Sequence, residues 1–181
     1  AAAPVRARIA DVGTGSGCLA VAIARWLPAA EVVAIDASEE ALAVARRNAE
    51  RHDVARRMQF FEADLLAGVP GPFDAVVSNP PYVPEPDIPG LQPEVRDHEP
   101  LQALVGGADG LDVIRRLVPQ AAAALRPGGW LVFEFGFGQA DGVRAIVEAE
   151  PRLELVAIKP DLAGIPRMAV ARRRTQQETP V

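Results

Sequence analysis

Residues 78–82, Ser-Asn-Pro-Pro-Tyr, carry the most specific chemistry in the chain, and they follow directly on the apolar run Phe73-Asp74-Ala75-Val76-Val77. Proline fixes φ and has no N–H to donate. Asn79-Pro80-Pro81-Tyr82 therefore offers a side-chain amide, a rigidly held backbone carbonyl and an aromatic ring at one strand end. The Asn79 side-chain oxygen and the Pro80 carbonyl can each accept one N–H of a planar NH₂ group, with Pro81 holding the turn and Tyr82 packing against the plane of that group. An amide nitrogen is a poor nucleophile because its lone pair is delocalised. Two acceptors favour pyramidal nitrogen as positive charge develops on it, which is stabilisation of a transition state by preorganised dipoles. As plain structure the same residues read as a strand end running into a Pro-Pro loop.

A second constellation lies earlier. Asp11-Val12-Gly13-Thr14-Gly15-Ser16-Gly17 follows a short apolar strand and leads into Leu19, Ala20, Ile23, Trp26 and Leu27 at helical spacing. Strand, glycine turn, helix is an arrangement in which a ligand can approach backbone N–H groups closely. The spacing is G-x-G-x-G, with Cys18 where the dinucleotide fingerprint places its third glycine, so no grip on a pyrophosphate is implied. Asp36 ends the next strand, 23 residues after Gly13, and can accept both hydroxyls of a ribose. Asp64 ends the third strand and can accept from an exocyclic amine of a base, with Leu65 lining the base pocket. Taken singly, Asp36 reads equally as a helix-entry residue and Asp64 as a turn aspartate. Together, a glycine turn and two acids on three successive strand ends describe a nucleoside site without phosphates: Gly13, Thr14, Gly15, Ser16, Gly17, Asp36, Asp64 and Leu65, with Asn79 beside them.

The elements that must position these groups alternate. Strands are expected over 5–12, 31–35, 58–62, 73–78 and 130–135. Helices are expected through Leu19 to Leu27 and ended by Pro28, from an N-cap at Ser38 to about His52, over 109–125, and over 139–149. Pro119 predicts a kink or an early break in the third of these. Residues 80–100 hold seven of the seventeen prolines and read as one extended loop without regular structure. Arg126-Pro127-Gly128-Gly129 reads as a tight turn before the fifth strand. Strands over 153–158 and 168–171 have no helix between them, which suggests an antiparallel hairpin at a sheet edge, followed by a polar, flexible tail after about Arg172. The fold class is α/β, a doubly wound, mainly parallel sheet, with ligand across the carboxyl ends of its strands. The domain is expected to span 5–173, with 1–4 and 174–181 as flexible tails.

Composition narrows the classes. The 181 residues suffice for one α/β domain, and the 49% apolar and 24% charged content is that of a globular chain. No run approaches a membrane span or a signal peptide, so no membrane partner is expected and the chain reads as cytoplasmic. One cysteine, Cys18, permits no internal disulfide. A net charge of −5 gives no footprint for non-specific nucleic-acid binding, which disfavours nucleic acid as a direct substrate. His52 and His98 lie far apart with no cysteine cluster, so no metal is suggested; His98 reads as a loop residue and not a base.

Asp11 to Gly17, Asp36 and Leu125-Arg126-Pro127-Gly128-Gly129 resemble the first motif, the ribose-binding acid and the turn before the fifth strand of the class I S-adenosylmethionine-dependent methyltransferases. That resemblance implies S-adenosyl-L-methionine as cofactor and a Rossmann-like seven-stranded sheet with an antiparallel last strand. Asn79-Pro80-Pro81-Tyr82 narrows it to members that methylate planar amino or amide nitrogens. Val95-Arg96, Glu99-Pro100-Leu101, Ala103-Leu104, Gly106-Gly107, Asp109-Gly110-Leu111 and Asp161-Leu162-Ala163-Gly164 with Arg167 resemble the HemK/PrmC group, the release-factor glutamine N5-methyltransferases. The resemblance runs from about Arg8 to Arg173. It implies methyl transfer to a protein glutamine, that of the Gly-Gly-Gln loop of peptide chain release factors, with Asn79, Pro80 and Tyr82 as catalytic residues and Asn79 to Tyr82 as the substrate-binding stretch. Those enzymes carry a helical N-terminal domain ahead of the first motif, so this chain reads as the catalytic domain alone. The alternatives are an amino-methyltransferase acting on a nucleobase, a non-catalytic cofactor-binding or interaction domain, and, third, a nicotinamide oxidoreductase.

Overall fold

The apolar runs become strands covered on both faces in the computed structural model, which describes residues 6–96 and 100–175. β1 (Arg8–Val12), β2 (Glu31–Asp36), β3 (Met58–Glu62), β4 (Phe73–Ser78), β5 (Leu125–Glu134), β6 (Leu153–Pro160) and β7 (Pro166–Arg173) form one sheet in the order β3-β2-β1-β4-β5-β7-β6. β3, β2, β1, β4 and β5 pair in parallel, and β7 runs antiparallel to both β5 and β6. The helices are α1 (Cys18–Trp26), α2 (Glu39–Arg51), α3 (Pro93–Arg96), α4 (Leu101–Leu104), α5 (Asp112–Ala124) and α6 (Ala140–Glu148).

β2 shows why the sheet is a middle layer. Val32 and Ala34 join Ala20, Val21 and Ala24 of α1 and Ala49 of α2, whereas Val33 and Ile35 join Ile114, Leu117 and Val118 of α5 and Val143 and Val147 of α6. The two-residue period of a strand sends alternate side chains into two helical layers. Full burial of each Val or Ile contributes roughly 1.5–3 kcal/mol, so the apolar run of β2 holds Asp36 on a stiff support. α2 begins as its sequence dictates: Ser38 Oγ accepts from Ala41 N at 3.2 Å, and Glu39 and Glu40 occupy the first turn. α5 buries Ile114, Leu117, Val118, Ala121 and Ala122, one face at helical spacing.

Several expectations are corrected. Residues 80–104 are not a bare loop: a 3₁₀ turn at Glu85–Gly90, α3 and α4 lie within them, and an isolated parallel bridge joins Val83 to Val105. The prolines sit where short helices tolerate them, Pro93 as the first residue of α3 and Pro100 as the N-cap of α4. α5 runs through Pro119 without interruption, and that residue is on its exposed face. The turn at 126–129 is absorbed into β5 as a bulge, four residues against the single Asp74 between the pairs Phe73–Leu125 and Ala75–Trp130. The polar tail starts later than Arg172: Arg172 and Arg173 are in β7, and Arg174 N donates to Arg152 O at 2.8 Å. Val5, His98, Glu99 and the residues after 175 lie outside the described residues.

Strand order reverses at β1, with β2 on one side and β4 on the other. In such sheets the crevice at the carboxyl ends of the two strands flanking the reversal is the ligand site. Here those ends are the glycine turn and Asn79.

Candidate active site

Asp11 is where the glycine turn begins to be organised. Its carboxylate is 2% exposed, and Oδ2 accepts from Thr14 Oγ1 at 2.7 Å and from Ala20 N at 3.0 Å. Burial pushes its pKa up to about 6, the two hydrogen bonds opposing and the Asp36 charge adding to the rise. Thr14, predicted as a cofactor residue, is buried and turned inward to Asp11, with its N–H on Ile35 O at 2.9 Å. Gly13, Gly15 and Gly17 all have positive φ, and a Cβ on Gly17 would stand 2.9 Å from that of Ala45. Only glycine meets both demands at that position. A Cβ on Gly15 would meet nothing within 4 Å, so this bend of the turn faces open space. Ser16 is exposed, and its carbonyl accepts from Asn48 Nδ2 at 2.8 Å.

Asp36 is bound to that turn. Oδ2 accepts from Gly15 N at 2.8 Å and Oδ1 from Ser38 N at 3.0 Å. A carboxylate has about four acceptor positions, so each oxygen keeps one for a ligand hydroxyl. A half-buried acid with two free acceptor positions beside an open glycine bend fits a ribose, and the turn carries no cation for a phosphate. Asp64 is exposed and forms an ion pair with Arg116 of α5 through Oδ2, while Leu65, at φ 55°, packs half-buried against the core.

Across the reversal, Ser78 Oγ donates to Val12 O at 2.7 Å and locks the tip of β4 to that of β1. A Cβ on Gly13 would lie 3.9 Å from Asn79 O, so the two sequence constellations sit side by side. Asn79 is exposed and its side-chain amide makes no hydrogen bond among the described residues; Pro80 is buried and Pro81 half-buried. Tyr82 is half-buried, and its hydroxyl donates to Glu134 Oε1 at 3.0 Å and accepts from Arg167 Nη2 at 3.0 Å. Burial, and then the Glu134 charge, raise the Tyr82 pKa above the usual phenol value. Behind it, Gln139 Nε2 donates to Tyr82 O at 2.8 Å while Gln139 Oε1 accepts from Gly136 N at 2.7 Å. Sequence reasoning missed Asp11's role, Glu134 and Gln139. Glu134 had a signal, an acid closing an apolar strand as Asp36 does; Gln139 had none. Among the described residues no three His, Cys, Asp or Glu are grouped to hold a metal ion, and no helix is long and apolar enough to cross a membrane.

Comparison with known proteins agrees with this geometry. The family model "Methyltransferase small domain" matches residues 2–88. The chain is 48% identical over 91% of its length to a release factor glutamine methyltransferase of Gloeobacter violaceus, covering 58% of that protein. It is 52% identical over 78% of its length to one of Geobacter sulfurreducens, covering 49% of it. Among solved structures, a ribosomal protein L11 methylase from Lactobacillus delbrueckii subsp. bulgaricus superposes with a TM-score of 0.68 at 23% identity, over 97% of this chain and 73% of that one. A methyltransferase from Pyrococcus furiosus gives 0.69 at 20% identity, over 94% and 76%. The fold is that of the class I S-adenosylmethionine-dependent methyltransferases. By sequence the chain is similar over most of its length to release factor glutamine methyltransferases, and it spans about half to three-fifths of the length of the curated relatives it matches.

Proposed function

We propose that this chain binds S-adenosyl-L-methionine and transfers its methyl group to the side-chain amide nitrogen of a protein glutamine, the Gly-Gly-Gln glutamine of a peptide chain release factor. The observation that carries the reading is the hydrogen bond from Ser78 Oγ to Val12 O at 2.7 Å, which sets the glycine turn beside an Asn79 amide that makes no hydrogen bond among the described residues. The identity to release factor glutamine methyltransferases over most of the chain supports the choice of acceptor. When bound, the cofactor supplies an electrophilic methyl group on a sulfonium. Asp36 and the 13–17 turn would hold its nucleoside end, and the Asn79 oxygen and the Pro80 carbonyl would accept the two hydrogens of the substrate amide and so orient its nitrogen. On gaining the methyl group that nitrogen would give up a proton to the solvent that Asn79 faces. Alignment accounts for much of such a rate enhancement, so no acid–base residue is required at the reacting atoms.

The test is transfer of labelled methyl to a release-factor domain containing the Gly-Gly-Gln loop, beside the same domain with that glutamine changed and beside RNA and DNA. Label on the first alone is expected. Label on nucleic acid would replace the reading with nucleobase methylation, and cofactor binding without transfer to any of them would replace it with a binding domain.

A further inference from the structure

Tyr82 is held by three groups that come from far along the chain. Its hydroxyl, Glu134 Oε1 and Arg167 Nη2 form a closed triangle: hydroxyl to carboxylate 3.0 Å, guanidinium to hydroxyl 3.0 Å, guanidinium to carboxylate 3.2 Å. The Arg167 guanidinium also lies over the Tyr82 ring, 5.2 Å from its centroid. On the backbone side, Gln139 Nε2 bonds Tyr82 O and, at 3.3 Å, Asp109 O. A Cβ on Gly110 would collide with Tyr82 O, so only glycine lets the 106–110 segment lie against the same carbonyl. Glu134 ends β5, Arg167 is the second residue of β7, and Gln139 is the N-cap of α6.

Stability does not account for this convergence. The Glu134 and Arg167 side chains are 40% and 25% exposed, and an ion pair so placed adds little to folding. What the triangle does is remove the freedom of a ring that neighbours Asn79 and Pro80. We propose that Glu134, Arg167 and Gln139 are positioning residues: they fix the Tyr82 ring and, through it, the Pro80 carbonyl and Asn79 amide in the orientation that receives a planar amide. Preorganisation of the acceptor side is then supplied by β5, β7 and α6, and the Asn-Pro-Pro-Tyr stretch alone is insufficient. Ordering these groups before the acceptor arrives removes that cost from the binding step. The kinetic part of this inference rests on the proposed function; the geometric part does not.

Tyr82 is the only tyrosine in the chain, so ultraviolet titration of tyrosinate reads this residue alone. The charged groups facing it are Glu134 from β5 and Arg167 from β7; on the 106–110 segment the Asp109 carboxylate is taken by Arg115. The wild-type phenol is expected to titrate above the ordinary value. Glu134→Gln should lower the midpoint and Arg167→Gln should raise it, each with an unchanged far-ultraviolet circular dichroism spectrum. With release-factor domain as acceptor, each should lower kcat about 10- to 100-fold, the cost of a small misplacement, and leave the methyl-donor KM within about twofold. Glu134→Gln added to Tyr82→Phe should cost no more than about twofold further, because both act through one hydroxyl. Midpoints unmoved in both variants, or kcat losses that add in full, would overturn the inference. If the wild type transfers no methyl group, it is the proposed function that fails, and the tyrosine titration decides this inference by itself.

Discussion

The two halves of the crevice are built differently. On the β1–β2 side, the groups that shape the site come from one continuous stretch: Asp11 holds Thr14 and Ala20, and Asp36 holds Gly15 and Ser38. On the β4 side, the reactive stretch is four residues long but is held by Glu134, Gln139 and Arg167, at separations of 52, 57 and 85 residues from Tyr82. A nucleoside needs hydroxyl acceptors and an open backbone, which a strand-turn-helix supplies locally. An amide acceptor needs oriented dipoles, and orientation in a proline-rich stretch must come from its neighbours. The first half is therefore expected to govern donor affinity and the second turnover.

The largest effect expected is at Asn79. On the proposed function Asn79→Ala removes one of the two acceptors of the amide, and loss of one preorganised partner of this kind costs on the order of 10²–10³ in kcat. Donor binding, measured by calorimetry, should change much less than turnover. Turnover near the wild-type value would erase the division between the halves.

Asp11→Asn separates stability from either function. A carboxyl whose pKa rises from 3.8 unfolded to about 6 folded binds its proton more tightly in the native state. The native state thus loses stability as pH rises from about 4 to about 6, by about 3 kcal/mol in full, and keeps that loss above it. Asparagine retains an acceptor for Thr14 and Ala20, both of which bond the same oxygen. Denaturant unfolding across this pH range should show the decline in the wild type and a flat profile in the variant. A wild-type profile that rises with pH would mean that the carboxylate is stabilised in place, contrary to its burial.

Asp36→Ala tests the first half directly. It removes both ribose acceptors and leaves the Gly15 and Ser38 N–H groups to water. Hydrogen bonds to a charged partner are worth about 1.5–3 kcal/mol, so donor affinity should fall roughly 10- to 100-fold while kcat at saturating donor stays near the wild-type value. A fall in kcat with affinity intact would reverse the assignment of the two halves.

Legibility follows the same division. Sheet, strand ends and edge hairpin were readable because each rests on a local pattern, such as the apolar period of β2 or the missing helix between β6 and β7. The positions of the glycine turn and of Asp36 at successive strand ends were readable because each closes a local apolar run; the bond between them, from Gly15 N to Asp36, spans 21 residues. The ion pair of Asp64 was hidden because its partner, Arg116, sits on α5, 52 residues on. The helices inside 85–104 were hidden by prolines, which sequence reasoning takes as breakers but which α3 and α4 use at their starts. Glu134 carried the signal of an acid closing an apolar strand, but neither it nor Gln139 has anything near it in sequence to say that Tyr82 will be there, which is the reason that separates the halves.

Ser38→Ala is the smallest and most discriminating change. Ser38 serves two ends of the first half through different atoms: its backbone N–H goes to Asp36 Oδ1, and its Oγ accepts from Ala41 N to cap α2. Alanine keeps the first bond and loses the second. Loss of an N-cap of this kind costs about 1 kcal/mol, so the unfolding midpoint should fall with donor affinity unchanged. If affinity falls too, the cap is what holds Asp36 in place, and the first half depends on its helix much as the second depends on β5 and β7. If it does not, Asp36 is positioned by β2 and the backbone alone, and the contrast between a locally built donor side and a remotely built acceptor side holds down to a single hydroxyl.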